Sequence, residues 1–261
     1  MKWGRALLRG YTMAFLAALY APIAVLIALS FNESRLVYVW TGFSTRWYEQ
    51  IFANRLYTSA LLTSVIVALA TTLLSLVFGT MAGIAAARII SPRVDLLWTS
   101  LVLLPLIMPE IVEALSLSLF YGAVGIPNGI GATILGHVVF SVSFVALIVR
   151  ARMAGVGKAY EEASMVLGAT RVQTFLKVLL PIALPAVTAG AFLAFAASFD
   201  DVVKSDFTTS ATTRTLPIII FSQAARGGVS AGLNALATVT VVISLAFAMI
   251  RNAAERRLSQ T

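Results

Sequence analysis

Six stretches of the chain, near residues 11–31, 59–86, 97–120, 131–150, 182–200 and 232–250, are almost wholly apolar. Each is long enough to cross a hydrocarbon core as a helix, which takes roughly 20 residues. Lipid offers no water to backbone N–H and C=O groups, so such segments must satisfy their hydrogen bonds internally. The expected fold class is therefore an all-α integral membrane protein, with one transmembrane domain over 1–261. Composition agrees: 59% of residues are hydrophobic and only 11% are charged, far fewer charges than a soluble domain exposes. No repeat, low-complexity tail or second domain interrupts the pattern.

The formal net charge of +8 raises nucleic acid as a partner, but the distribution of the charge argues against it. Lys2, Arg5, Arg9, Arg88, Arg93, Arg150, Arg152, Lys158, Arg171, Lys177, Arg251, Arg256 and Arg257 flank apolar spans on what would be a single side. That is the positive-inside bias of a membrane protein, and it places both termini in the cytoplasm. A cleavable signal peptide is the competing reading of the first span, but the run is long and lacks a clear small-residue cleavage site. Residues 32–58, with Trp40, Trp47 and Tyr48, read as an outer segment at the interface. Residues 121–130 read as a tight turn. Residues 201–231 read as a polar outer loop with short helical structure near Leu216 and Pro217.

Residues 151–181 form an inner loop with helical periodicity. Tyr160, Ala163, Val166 and Leu167 mark one short helix; Val172, Phe175, Leu176 and Leu179 mark a second. Gly168 lies between them, where a turn needs a positive φ or a close backbone approach. An amphipathic segment lying on lipid headgroups is the alternative.

No catalytic set is visible. Cysteine is absent, no metal-ligand spacing occurs, and the single histidine, His137, reads as a hydrogen-bonded packing residue. No glycine-rich phosphate loop is present, so the chain binds no ATP by itself. Carboxylates at membrane depth carry the remaining signal. Glu110 and Glu113 follow Pro105 and Pro109, which remove backbone donors and are expected to break the third helix, and Asp200 and Asp201 end the fifth span. Each costs about 2.5–3.5 kcal/mol to insert, so such groups line a pathway or form pairs. The pathway reading makes Glu110, Glu113, Asp200 and Asp201 a path for a cation, with Tyr121 and Phe199 adding cation–π contacts. The pairing reading joins Asp200 to Lys204 at i, i+4 or makes an aspartate a helix cap.

The spacing of Glu162-Ala163, Gly168, and Val178 with Leu180-Pro181 resembles the E-A-A coupling loop of ABC-importer permeases. Ser164 stands for the second alanine of that pattern and Val178 for its isoleucine. Further segments resemble the permease subunits of bacterial spermidine/putrescine importers: Tyr20-Ala21-Pro22, Phe43 to Tyr48, Pro105 to Glu110, Ser198 to Val203, and Asn234 to Thr238. Lys204 and Asp206 depart from this likeness, standing where neutral residues are expected. The resemblance implies a type I permease fold in the bacterial inner membrane. It implies a second homologous permease, two ATPase subunits that bind ATP and Mg, and a periplasmic binding protein as partners. It assigns Glu161, Glu162, Ala163, Gly168 and Ala169 to coupling with the ATPase, and a polyamine to the pathway. Related permeases carry iron, opines or phosphonates. A self-contained channel or ion-coupled transporter using Glu110, Glu113 and Asp200 is the reading from another class, and an integral-membrane enzyme a third.

Overall fold

A computed structural model describes residues 2–258, with side chains over 7–250. Among the described residues, five helices are long and apolar enough to span a membrane, or six if one sharply bent helix pair counts as a span. Lys2, Arg5, Arg251, Arg256 and Arg257, which the charge argument used, have side chains outside the described set. The chain divides into two compact units, residues 1–58 with 220–243, and residues 59–219 with 244–261.

The first unit contains α1 (Lys2–Ser30), α2 (Arg46–Ala53), and parts of α11 (Leu216–Gly227) and α12 (Ala231–Leu258). Every side chain of α1 from Leu7 to Val25 is exposed, which suits a helix facing lipid or another subunit. The segment after α1 is organised by Asn32, which is fully buried. Its Nδ2 donates to the carbonyls of Leu36 and Val39, its Oδ1 accepts from the N–H groups of Ser34 and Thr41, and its own carbonyl accepts from Trp47 Nε1 at 2.8 Å. Of the three aromatics expected at an interface, only Trp40 is exposed. Trp47 is held by this bond, and Tyr48 shares a 2.6 Å hydrogen bond with Ser30.

The second unit is built from α3 (Arg55–Ala86), α4 (Pro92–Ile107), α5 (Glu110–Val124), α6 (Ile130–Ala154), α7 (Ala159–Val166), α8 (Arg171–Thr174), α9 (Leu180–Phe199) and α10 (Val203–Thr208). Its helices pack through small residues. From Ser59 onward, α3 buries Ala60, Ser64, Ala68, Thr71, Ser75, Gly79 and Gly83 and exposes Leu62, Ile66, Leu69, Leu73 and Met81. This inverts the pattern of a soluble helix: lipid is as apolar as leucine, so close backbone contact drives association instead. A methyl group on Gly79 would lie 2.6 Å from Val145 Cβ, one on Gly83 2.6 Å from the Ala146 carbonyl oxygen, and one on Gly190 3.2 Å from Val145 Cγ2. Val145 of α6 is thus clasped between glycines of α3 and α9. Ile84, Val149, Met153, Leu179 and Ala183 extend the same core.

The stretch 97–120 is broken, as its two prolines lead one to expect: α4 and α5 meet at an angle of 102°. Pro105 stays inside α4, and the break falls at Pro109, which forces Met108 into an extended conformation (φ −63°, ψ 139°). One expected boundary is corrected: the second helix of the inner loop is not separate from the span expected at 182–200. Residues Arg171–Phe199 run on as one span, through a π-turn at Phe175–Leu179 in which Leu180 N–H donates to Phe175 O. The slip precedes Pro181, which has no N–H to continue the ladder. The polar stretch 201–231 carries short helices, and Asp201, Lys204, Ser205, Thr208 and Leu216 to Ile219 are buried.

Gly83→Val is expected to destabilise the protein by about 1–3 kcal/mol, because a backbone carbonyl cannot swing aside as a side chain would. Gly122→Ala, at a helical position with open space around it, should leave stability unchanged. Melting temperatures of the two detergent-solubilised variants against wild type check this.

Candidate translocation and coupling sites

A buried polar network joins α5, α6, α9 and α10. The α9 helix ends at Phe199, and a short non-helical link leads to α10. Asp201 Oδ1 accepts from Ser205 N–H at 2.8 Å, fixing the first turn of α10. His137, 1% exposed, lies two turns into α6. Its Nε2 is 3.3 Å from Asp201 Oδ1 and 3.1 Å from Ser205 Oγ; its Nδ1 is 2.7 Å from Ser198 Oγ. A carboxylate only accepts, so Nε2 carries a proton facing Asp201, and Nδ1 shares a hydrogen bond with the Ser198 hydroxyl. Lys204 Nζ reaches Asp201 Oδ2 at 2.9 Å and Glu110 Oε1 at 2.5 Å, and lies 4.5 Å from the centre of the Phe140 ring. Thr208 Oγ1 donates to Lys204 O at 2.7 Å and lies 3.1 Å from Thr133 Oγ1, tying α10 to α6.

Of the expected pathway residues, Glu110 and Asp201 are brought together, bridged by Lys204. Glu113 is buried with neither carboxylate oxygen hydrogen-bonded, beside a recess of about 260 Å³ lined by Leu104, Pro105, Met108 and Phe120. Asp200 caps the end of α9 and is exposed. The expected Asp200–Lys204 pair does not form: α9 ends at Phe199 and α10 starts only at Val203, so helical spacing does not hold, and Lys204 takes Asp201 instead. Tyr121 and Phe199 are buried, the latter stacked on Phe195 at 5.4 Å. The ring that meets a cation is Phe140, which sequence reasoning missed. The signal available was its position one turn beyond His137.

The inner loop is a second constructed feature. In α7, Leu167 is the last half-helical residue. Gly168 N–H donates to Met165 O, and Ala169 N–H to Ser164 O. This pair of bonds is a Schellman cap, which requires the left-handed φ of 87° that Gly168 adopts. No atom crowds Gly168, so conformation and not close approach explains the glycine. Thr170 then opens α8 with a capping box to Gln173. Ser164 shares a 2.7 Å hydrogen bond with Thr174, linking the two helices at the position where the family pattern has alanine.

Glu161 and Glu162 have different surroundings. Glu161 bonds Arg88 Nε at 2.5 Å, and Arg88 also donates to Met153 O; this anchors α7 to the ends of α3 and α6. Glu162 and Ala163 are exposed. Val166 and Leu167 are 86% and 88% exposed, and Tyr160, Val172 and Leu176 of the same loop are exposed as well. Of the face expected on the second helix, only Leu179 is fully buried. At the same end, Arg150 binds Asp95 and Thr99 and lies over Trp98.

Asp201→Asn removes the charge that holds Lys204 and His137, and breaking a buried pair on one side costs about 3–5 kcal/mol. A large loss of melting temperature is expected, against a small one for the exposed Asp206→Asn.

Residues 79–260 match the family described as binding-protein-dependent transport system inner membrane component. The chain is 35% identical to the putrescine transport system permease protein PotI of Escherichia coli K12, over 97% of this chain and 92% of that one. It is 36% identical to the spermidine/putrescine transport system permease protein PotC of Haemophilus influenzae, over 92% and 93%. Among solved structures, a bacterial ABC transporter that imports the acidic polysaccharide alginate superposes with a TM-score of 0.76 at 15% identity, over 97% of this chain and 94% of that one. The MetNI methionine ABC transporter gives 0.61 at 21% identity, over 78% and 99%. The chain thus belongs to the family of inner membrane components of binding-protein-dependent transport systems, as a multi-pass helical transport subunit.

Proposed function

We propose that this chain is the permease subunit of an ABC importer for a small organic polycation of the putrescine or spermidine class. The carrying observation is the surplus of acid where the third span breaks: Glu110, Glu113, Asp200 and Asp201 stand against one buried ammonium, Lys204. An anionic solute would be repelled there, and an ammonium would find carboxylates in place of lost hydration. The names of the relatives, which are putrescine and spermidine/putrescine permeases, favour the same class. In this reading a second homologous permease completes the pathway, a periplasmic binding protein delivers the solute, and two ATPase subunits bind ATP and Mg. Both termini and the 151–181 loop lie on the cytoplasmic side. Glu110 and Asp200 are the carboxylates open to the pathway. Tyr121 and Phe199, both buried, shape its wall from behind.

Coupling is assigned to the α7–α8 corner. Val166 and Leu167 offer an apolar surface to a groove on the ATPase, and Glu162 offers a charge beside it. Gly168 and Ala169 fix the corner through the Schellman cap. Glu161 transmits its movement through Arg88 to α3 and α6. A state change must act through contacts that differ between the two ATPase states, and this corner is the exposed place to make them.

Uptake of labelled putrescine by cells carrying the full transporter tests the solute class; uptake of an anion in its place would reject it. For coupling, Glu162→Lys should lower binding-protein-stimulated ATP hydrolysis by about tenfold, the scale of one charge-assisted hydrogen bond, while assembly persists. Normal stimulation would remove Glu162 from the docking surface.

A further inference from the structure

Lys204 is an anomaly in a pathway for cations, because the chain places a positive charge where it would oppose the solute. Its surroundings explain it. The ammonium has a carboxylate oxygen at 2.5 Å from Glu110, another at 2.9 Å from Asp201, and the Phe140 ring centre at 4.5 Å. Two carboxylates and one aromatic face are the chemistry that recognises an alkylammonium group. The walls differ in rigidity. Asp201, its side chain 1% exposed, is fixed by His137 and by Ser205 N–H, whereas the Glu110 side chain is 52% exposed and forms the mouth. Glu113, one turn further along α5 and 5% exposed, has both oxygens unpartnered. It is a second buried carboxylate beside the cage with no cation on it.

We propose that Glu110, Asp201 and Phe140 form an alkylammonium-binding site that the protein's own Lys204 occupies in the absence of solute, and that a primary ammonium group of the solute exchanges with it. This rests on the polycation reading. A lysine ammonium and the end of a diamine carry the same charge and the same three N–H donors, so exchange leaves the charge and hydrogen-bond count of the site unchanged. The displaced Lys204 ammonium has Glu113 as an acceptor. Glu110 and Asp201 are thereby kept paired when no solute is present, and inorganic cations lacking N–H donors do not replace the lysine. The position of Lys204, three residues after Asp201 on the two-turn α10 helix, gives it a short tether that can withdraw without unfolding a span.

The test uses the assembled transporter in detergent. Lys204→Ala leaves the carboxylates and removes the ammonium with its carbon chain, and n-propylammonium supplies the atoms removed. Lys204→Ala is expected to melt below wild type. n-Propylammonium chloride should raise its melting temperature in a dose-dependent way, while tetramethylammonium chloride, which has no N–H, should not. Adding Glu110→Gln should abolish the rescue. If Lys204→Ala fails to assemble, n-propylammonium present during growth and solubilisation should restore the yield. An equal response to both salts, or no response in either format, overturns the site; a lysine that merely buttresses α10 gives no amine-selective rescue. Rescue without putrescine uptake by the wild-type transporter would keep the cage and reject the polycation reading, and uptake without rescue would do the reverse.

Discussion

A backbone carbonyl in hydrocarbon has no water to fall back on, and this constraint decides where the chain can bend. Helices satisfy it by default. Each interruption in the second unit needs another source of partners. At Met108–Pro109 the chain turns through 102°, and at Asp200–Val202 it leaves α9 for α10. The two breaks are joined by Glu110, Lys204 and Asp201. The two helix breaks and the ion network between them are therefore one feature. The charges would be too costly at a continuous, lipid-facing helix.

Around that site the subunit is held by close packing of small residues. Val145 lies between Gly79 and Gly190, and Gly83 lies against the backbone of Ala146. Lipid provides no hydrophobic gain for pushing leucines inward, so the large side chains face outward and dispersion between close backbones supplies the attraction. The same helices reach the inner loop. Arg88, just beyond α3, joins Glu161 of α7 to the Met153 carbonyl of α6, so α7 is tied to the packed core.

The alginate transporter shares this fold at 15% identity and imports an acidic polysaccharide, whereas the solute proposed here is a cation. On that proposal the helical frame leaves the choice of solute to the side chains at its breaks.

The apolar spans and the corner at Gly168 were legible in the sequence, because each rests on a local rule: segment length, or a φ that only glycine adopts easily. The acids at 110, 113, 200 and 201 were legible as anomalies of composition at membrane depth. Local rules could not say where Lys204 would turn. An i, i+4 pairing with Asp200 presumes a helix, and α9 stops before it. They could not separate Glu161, locked to Arg88 from 73 residues away, from Glu162 beside it. Nor could they show that Phe140, and not Tyr121 or Phe199, faces the ammonium. Sequence determined the elements and the chemical groups carried at their breaks. Which carboxylate meets which cation was decided by the packing of α5, α6 and α10, since contacts between distant segments depend on helix rotation and approach that no single helix encodes.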